Sequence, residues 1–377
     1  TGYPRDFAGA VEAAASTGGQ IMPPIMGAAA FIMAEMTGYE YSDIIVRAIL
    51  PAFLYFLGIF LGVHFKAKKL GLVGLKREEL PKWKILLPKI YLLLPLIVLT
   101  WMVVAGQTMA KSAIYGTIVA IVVGIINKDD RMTPTKFVNG LENGGKNCLS
   151  IGIACGIAGI ISVCITMTGL GGKLITYVVK LSNGHLFIAL FLTMICCIIL
   201  GMGVPTTANY IIMASTCAPI LINGMGMHIL AANMFVFYFG IVADITPPVA
   251  LAAYAGAAIA KAPPMKTALN ATRLAIAAFI IPYIFAYNNA MIFVGDVTFF
   301  GVASIVISAT LGMASIASGF MGYLIHDLKW YSRIALIVGG LLMVIPGTVT
   351  DLAGLAILIV ILLIQKAENK KEKKAAV

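Results

Sequence analysis

The sequence predicts an all-α polytopic membrane protein in which two transmembrane helices are interrupted at corresponding places. A re-entrant helical hairpin completes the design. Three observations carry the prediction. The 377 residues are 60% hydrophobic and 11% charged, with a mean hydropathy of +0.97, whereas a soluble chain carries about a quarter charged residues. Many runs approach or exceed the roughly 20 apolar residues that a helix needs to cross a bilayer. The stretch Asp244-Ile245-Thr246-Pro247-Pro248 cuts an apolar run, 229–260, whose one charge is Asp244.

In lipid every backbone N–H and C=O must be satisfied within the protein, so a broken helix persists only where it is buried or lines a polar cavity. An ionisable residue at such a break marks a functional site by default. The design occurs twice. Gly19-Gln20-Ile21-Met22-Pro23-Pro24-Ile25-Met26 aligns with Ala243-Asp244-Ile245-Thr246-Pro247-Pro248-Val249-Ala250, and an Ala-rich helix follows each. Paired interrupted helices in two halves are the sequence mark of an internally repeated transporter. Two Pro-kinked helices in an Ala-rich membrane protein are the plainer reading.

The net charge of +11 does not indicate nucleic acid. Eight Lys/Arg fall in 66–89, four in 128–146, three in 261–273 and five in 366–374. These segments flank apolar spans and follow the positive-inside pattern, which places them on the cytoplasmic side. All six cysteines, Cys148, Cys155, Cys164, Cys196, Cys197 and Cys217, lie in apolar context without a C-x-x-C pair, so no metal or redox site is expected. The chain opens on Thr1 with no signal peptide, and is read as a fragment or processed product.

Five segments follow. Residues 1–65 hold the first broken helix and a span over 44–63, with Glu12 embedded in a small-residue helix and 35–43 an acidic turn. Residues 66–146 are basic loops around two short spans, 90–105 and 109–126, with 133–147 a stretch that lies along the interface. Residues 147–290 hold a span over 148–168, a polar connection over 169–184, a hairpin over 185–222 and the second broken helix over 229–260. The hairpin tip, Gly201-Met202-Gly203-Val204-Pro205-Thr206-Thr207-Ala208-Asn209, is uncharged, helix-breaking and rich in hydroxyls, which suits a re-entrant tip better than an aqueous loop. Residues 291–365 are C-terminal membrane helices, with 334–345 and 352–364 paired around Pro346-Gly347. Residues 366–377 form a basic, solvated tail without structure.

Enzyme readings find no support. His64, His185, His228 and His326 are scattered without zinc spacing, and there is no nucleophile elbow or phosphate loop. Asp296 and Asp351 border spans and read as interfacial, leaving Asp244 without the second carboxylate an aspartyl enzyme needs. A transport site uses what is present. Ser16, Thr17 and Gly19 at the first break, and Thr206, Thr207 and Thr246 at the hairpin tip and second break, offer oxygens to a dehydrated Na⁺. Helix N-termini at the same places offer N–H groups to an anion. Each proline frees an upstream carbonyl. Asn209 contributes an amide oxygen or orients the tip. Asp244 balances a cation or caps a helix, and the hydroxyls coordinate or bond back to their own helix.

Gly2-Tyr3-Pro4 with Ala15-Ser16-Thr17-Gly18-Gly19-Gln20-Ile21-Met22-Pro23-Pro24 resembles the large, DctM-like permease subunit of tripartite ATP-independent periplasmic (TRAP) transporters. Gly201-Met202-Gly203-Val204-Pro205-Thr206-Thr207 and Asp244-Ile245-Thr246-Pro247-Pro248-Val249-Ala250-Leu251 resemble its second half. The wording is most similar to the branch in which small and large membrane subunits are fused, and the likeness extends over about residues 1–282. It implies an inverted-repeat, elevator-type, Na⁺-driven importer of small organic anions in a bacterial or archaeal cytoplasmic membrane. It implies an extracytoplasmic binding protein, of the TAXI class in fused members, and small-subunit helices fused upstream or separate. By motif, Ser16, Thr17, Gly19 and Pro23 fall in the first ion region. Gly201, Gly203, Thr206, Thr207, Asp244, Thr246 and Pro247 fall in the second. No cofactor beyond Na⁺ is implied.

The family's first hairpin, which precedes the Gly2 motif, is missing. Pro205 stands where dicarboxylate-type members often carry an acid, which weakens a transfer of C4-dicarboxylate specificity. The expectation is a Na⁺-coupled permease; the alternative is a channel or a non-transporting membrane scaffold.

Overall fold

The computed structural model describes residues 2–74, 82–295, 297–345 and 347–375. Asp296, Pro346 and the 75–81 part of the first basic loop lie outside them. Among the described residues the regular elements are all helices, apart from a single bridge between Tyr323 and Asp327. Five segments among the described residues are long and apolar enough to cross a membrane: Tyr41–Lys69, Leu87–Val104, Pro264–Tyr287, Phe299–Met321 and Thr348–Glu368. The protein is an all-α polytopic membrane protein.

The first broken helix consists of α1 (Arg5–Gly18) and α2 (Ala28–Thr37). The helix runs through Ser16 and Thr17, so the break falls at 19–27, slightly later than the sequence suggested. Glu12 is exposed rather than embedded and accepts the Ser16 hydroxyl at 3.1 Å. Gly38, at φ 74°, ends α2 in the left-handed conformation that a glycine adopts freely. The acidic turn is short, because α3 (Tyr41–Lys69) begins at Tyr41. Lys66, Lys68 and Lys69 close α3 at the negative end of its dipole.

The second broken helix consists of α11 (Ile229–Val242) and α12 (Leu251–Ala260), separated by a 3₁₀ turn over Ala243–Ile245 and an extended Thr246. Both breaks carry a cis bond, Pro23-Pro24 and Pro247-Pro248. Both place a left-handed residue two positions after the second proline, Met26 at φ 50° and Ala250 at φ 39°. The two copies therefore agree in backbone conformation as well as in sequence.

Contacts at the ends fix their relative direction. Asp6, at the start of α1, pairs with Lys266 at 3.2 Å and accepts from Asn270 Nδ2 at 2.9 Å. Both partners lie on α13 (Pro264–Leu274), just beyond the end of α12. At the other end Tyr39, past the end of α2, meets His228, which precedes α11, at 3.2 Å. The first broken helix starts where the second finishes, and the two run antiparallel.

Helix α11 is buried from Leu230 to Val242, as its all-round apolar sequence requires. Around it pack α2, the hairpin arms α9 (Leu186–Gly201) and α10 (Thr206–Thr216), and α14 (Ile276–Tyr287). At 1.5 Å per residue α9 and α10 reach roughly 24 and 16 Å, less than the ~30 Å hydrocarbon thickness. The second arm continues past α10 as a helical stretch through Met225, so the two arms form a helical hairpin whose first arm alone is shorter than the hydrocarbon zone.

The remaining helices differ in places from the sequence expectation. A short α4 (Trp83–Leu86) and a 3₁₀ turn lead into α5 (Leu94–Val104), which pairs with α6 (Met109–Ile126). The stretch expected to lie along the interface is instead the first part of one long helix, α7 (Pro134–Met167). Its polar residues need no separate element when the helix simply extends beyond the apolar zone. The polar connection is also a helix, α8 (Leu170–Ser182), entered and left through left-handed Gly169 and Asn183. At the C-terminus α15 (Phe299–Met321) packs on α3 and on α16 (Trp330–Val344), and α16 packs on α17 (Thr348–Ala375). The helix α17 continues into the basic tail through Ala375, where coil was expected, because Lys and Glu are good helix formers.

Candidate functional site

The hairpin tip is only four residues long. Met202 leaves α9 in an extended conformation, Gly203 turns at φ 76°, and Pro205 ends in the conformation that starts α10 at Thr206. Gly201 allows the tip to seat. A Cβ there would lie 2.6 Å from Asn209 Nδ2 and 2.8 Å from the Ala243 Cβ, so the close approach of hairpin and break requires glycine.

The second group of sequence-predicted residues comes together. Thr206 donates its hydroxyl to Asp244 Oδ2 at 3.3 Å, joining tip to break. Asn209 is fully buried, and its Nδ2 donates to Gly240 O at 3.1 Å, one of the last carbonyls of α11. Its Oδ1 is buried with no hydrogen-bond partner. A Cβ on Gly203 would lie 3.7 Å from the Val249 side chain, beyond Pro247 and Pro248. Thr207 is half-buried beside Thr206. Thr246 bonds back to Val242 O at 2.7 Å, so its hydroxyl satisfies a carbonyl that the interrupted helix leaves open.

The first group is less engaged. Thr17 is buried, Ser16 and Gly19 are exposed, and Pro23 stands in the turn. The Gly19 N–H closes the helix end on Ser16 O at 3.0 Å. No hydrogen bond between described residues joins this group to the second.

Three capping residues were not singled out from the sequence. The Tyr41 hydroxyl lies 3.0 Å from both Pro24 O and Ile25 O. The Tyr254 hydroxyl donates to Pro248 O at 2.5 Å, and Thr272 donates to Ile245 O at 3.1 Å. Each supplies a donor where a proline or a helix end has left a carbonyl without one. Tyr254 carried a local signal, a phenol six residues after Pro248 at the start of the resumed helix. Tyr41 and Thr272 carried none, because only tertiary folding brings them to the breaks.

Among the described residues no group of three or more His, Cys, Asp or Glu converges. A cation held here would rest on carbonyl, hydroxyl and amide oxygens, which suits a hard ion. A cavity of about 720 Å³ opens elsewhere, between α9, α14 and α16, with Phe187, Phe191, Phe279 and Ile280 in its apolar wall. It approaches the break only through Thr272, so it is not the polar site.

Antiparallel broken helices, a helical hairpin seated on one of them and buried oxygens at the junction are the arrangement from which secondary transporters build their sites. Residues 1–300 match the family described as Tripartite ATP-independent periplasmic transporter, DctM component. The chain belongs to that family, and is thus the large permease component of a transporter that operates with a periplasmic binding protein and a small membrane subunit. No curated protein matches it.

Proposed function

We propose that this permease imports a small organic anion, a carboxylate, on a Na⁺ gradient by an elevator-type movement. The observation that supports this most is the junction of Thr206, Asn209 and Asp244. A tip hydroxyl on a break carboxylate, beside a buried amide oxygen with no donor, is a set of oxygens that a dehydrated cation would complete. An unpartnered buried acceptor costs about 1–3 kcal/mol, and Na⁺ at Asn209 Oδ1 would remove that cost. Gly201, Thr206, Thr207 and Thr246 are the second Na⁺ region in this reading, and Ser16, Thr17 and Gly19 the first.

Asp244 offsets the ion's charge. The start of α10 at Thr206 has no side-chain cap, and its first N–H groups suit a carboxylate. The motif wording supports a fused polypeptide, a TAXI-class binding protein and a bacterial or archaeal cytoplasmic membrane as the setting.

The test is uptake into proteoliposomes with a cognate binding protein, with and without an imposed Na⁺ gradient. Saturable, Na⁺-driven, binding-protein-dependent uptake is expected. Flux that does not saturate and needs no binding protein would make the chain a channel. Thr206→Ala with Thr207→Ala should raise the Na⁺ concentration for half-maximal uptake; an unchanged Na⁺ dependence removes the tip from the coordinating set.

A further inference from the structure

At the end of the membrane domain remote from the basic loops, the α2–α3 turn meets the start of α11 through His228. Its Nδ1 accepts the Leu230 N–H at 3.2 Å and caps α11. Its Nε2 lies 3.2 Å from the Tyr39 hydroxyl. The Arg47 guanidinium sits over the Tyr39 ring, 5.4 Å from its centroid, and is held by Asp43 at 3.1 Å.

An imidazole nitrogen accepts an N–H only while it carries no proton. The cap therefore fixes the tautomer: Nδ1 is bare, and Nε2–H donates to Tyr39. A second proton would remove the acceptor from Leu230. It would also set a cation at the positive end of the α11 dipole and near Arg47. Burial, and after it Arg47, hold the imidazole below its ordinary value. Because the folded value is lowered, the cap is complete above the ordinary histidine range and is lost as pH falls through the folded value.

The other charges nearby are few. Glu35 and Glu40 flank Tyr39 and are exposed. Of the elements packed on α11 besides α2, α9, α10, α14 and the 220–224 turn contain no Asp, Glu, Lys or Arg, and the 3₁₀ turn over Ala243–Ile245 carries Asp244 at the opposite end of α11 from His228. Of their tyrosines, Tyr210 bonds to Asn233 and Tyr283 to Met194. His228 is thus the group in this cluster with an ordinary titration near neutrality.

We propose that His228 is a proton-released pin between the two broken helices: neutral, it caps α11 and donates to Tyr39; protonated, it keeps the Nε2–H bond to Tyr39 but lets go of α11. Acidification on this face frees the start of α11, the helix whose other end runs into the Asp244 break. The consequence for uptake rests on the transport reading above; the pin itself does not.

The experiment is hydrogen exchange on the full chain in detergent, corrected for the intrinsic pH dependence of exchange. Peptides over 228–242 are followed from about pH 7.5 to about pH 5. In the wild type, exchange at the start of α11 is expected to rise on the order of fivefold on acidification, as loss of a side-chain cap implies. His228→Asn keeps an oxygen cap that does not titrate, and its profile should stay flat. His228→Ala should exchange fast at every pH. Identical profiles for the wild type and H228N would overturn the proposal.

The same variants are then compared in uptake against pH on this face. A wild-type decline in acid that H228N abolishes supports the pin's role in transport. An exchange response with no uptake by any variant keeps the pin and sinks the transport reading. Na⁺-driven uptake with identical exchange profiles sinks the pin alone.

Discussion

Gly9 of α1 and Gly256 of α12 face each other across the contact between the two broken helices. A Cβ on Gly9 would lie 2.8 Å from Gly256 O, and one on Gly256 would lie 2.6 Å from Gly9 O. Backbone meets backbone here, so neither helix has a side chain that can give way. Small residues at such contacts let membrane helices pack closely where apolar burial offers little driving force.

Gly9→Ala and Gly256→Ala should therefore each destabilise the protein by roughly 1–3 kcal/mol through overpacking. Elsewhere in a helix the same change gains about 0.5–1 kcal/mol. Gly140 of α7 has open space around it, and Gly140→Ala is the control. Thermal unfolding midpoints in detergent should fall for the first two variants and stay level or rise for the third. Equal midpoints for all three would mean that the crossing is looser than these distances.

The tyrosine caps give a second expectation. Tyr254→Phe removes the donor to Pro248 O, and Tyr41→Phe removes it from both Pro24 O and Ile25 O. Each phenol has one proton to donate, shared at Tyr41 between two carbonyls, and a lost bond costs about 1 kcal/mol net; Tyr41 is buried, so Tyr41→Phe should lower the melting midpoint more. Tyr254 is exposed at its hydroxyl contact, which lessens its share further. A larger effect at Tyr254 would contradict this order.

Asn209 separates a structural role from an ion-binding one. Asn209→Asp keeps an oxygen but drops the N–H donated to Gly240 O, whereas Asn209→Leu loses both. If Oδ1 serves a cation, the Leu variant should need roughly tenfold more Na⁺ for half-maximal uptake, equivalent to ~1.4 kcal/mol, and the Asp variant less. Equal Na⁺ requirements in folded Asp and Leu variants would leave Asn209 as a brace for α11 alone.

The breaks were legible in the sequence because proline pairs and an isolated carboxylate are local signals. The repeat Gln20–Pro24 and Asp244–Pro248 located both turns to within a few residues, and the tip glycines located the hairpin. The partners that satisfy the breaks were not legible. Tyr41 lies 17 residues from Pro24 and Thr272 lies 27 from Ile245, and hydroxyl-to-carbonyl pairing leaves no periodicity to read. The polar beginning of α7 was misread for a related reason. Composition reports whether a segment suits lipid, but a helix that emerges from lipid keeps the same backbone while its composition changes.

Gly201 makes the last expectation the sharpest test of the junction. It ends α9, and a methyl there would strike the Asn209 amide and the Ala243 side chain. The apolar arms of the hairpin would still be buried against α11, so Gly201→Ala should leave the protein folded while pushing the tip away from the break. The bond from Thr206 to Asp244, already 3.3 Å long, would open with a shift of a few tenths of an ångström. At that length a small displacement takes a hydroxyl out of hydrogen-bonding range. Uptake should fall by about tenfold or more, since catalysis and transport alike lose heavily on sub-ångström misplacement of a site, while the melting midpoint changes little. Gly203→Ala, strained by its positive φ but with only Val249 nearby, should lower the midpoint as well. The reverse outcome, with Gly201→Ala unfolding the protein and Gly203→Ala leaving both stability and uptake intact, would mean that the tip is a core contact rather than part of the transport site.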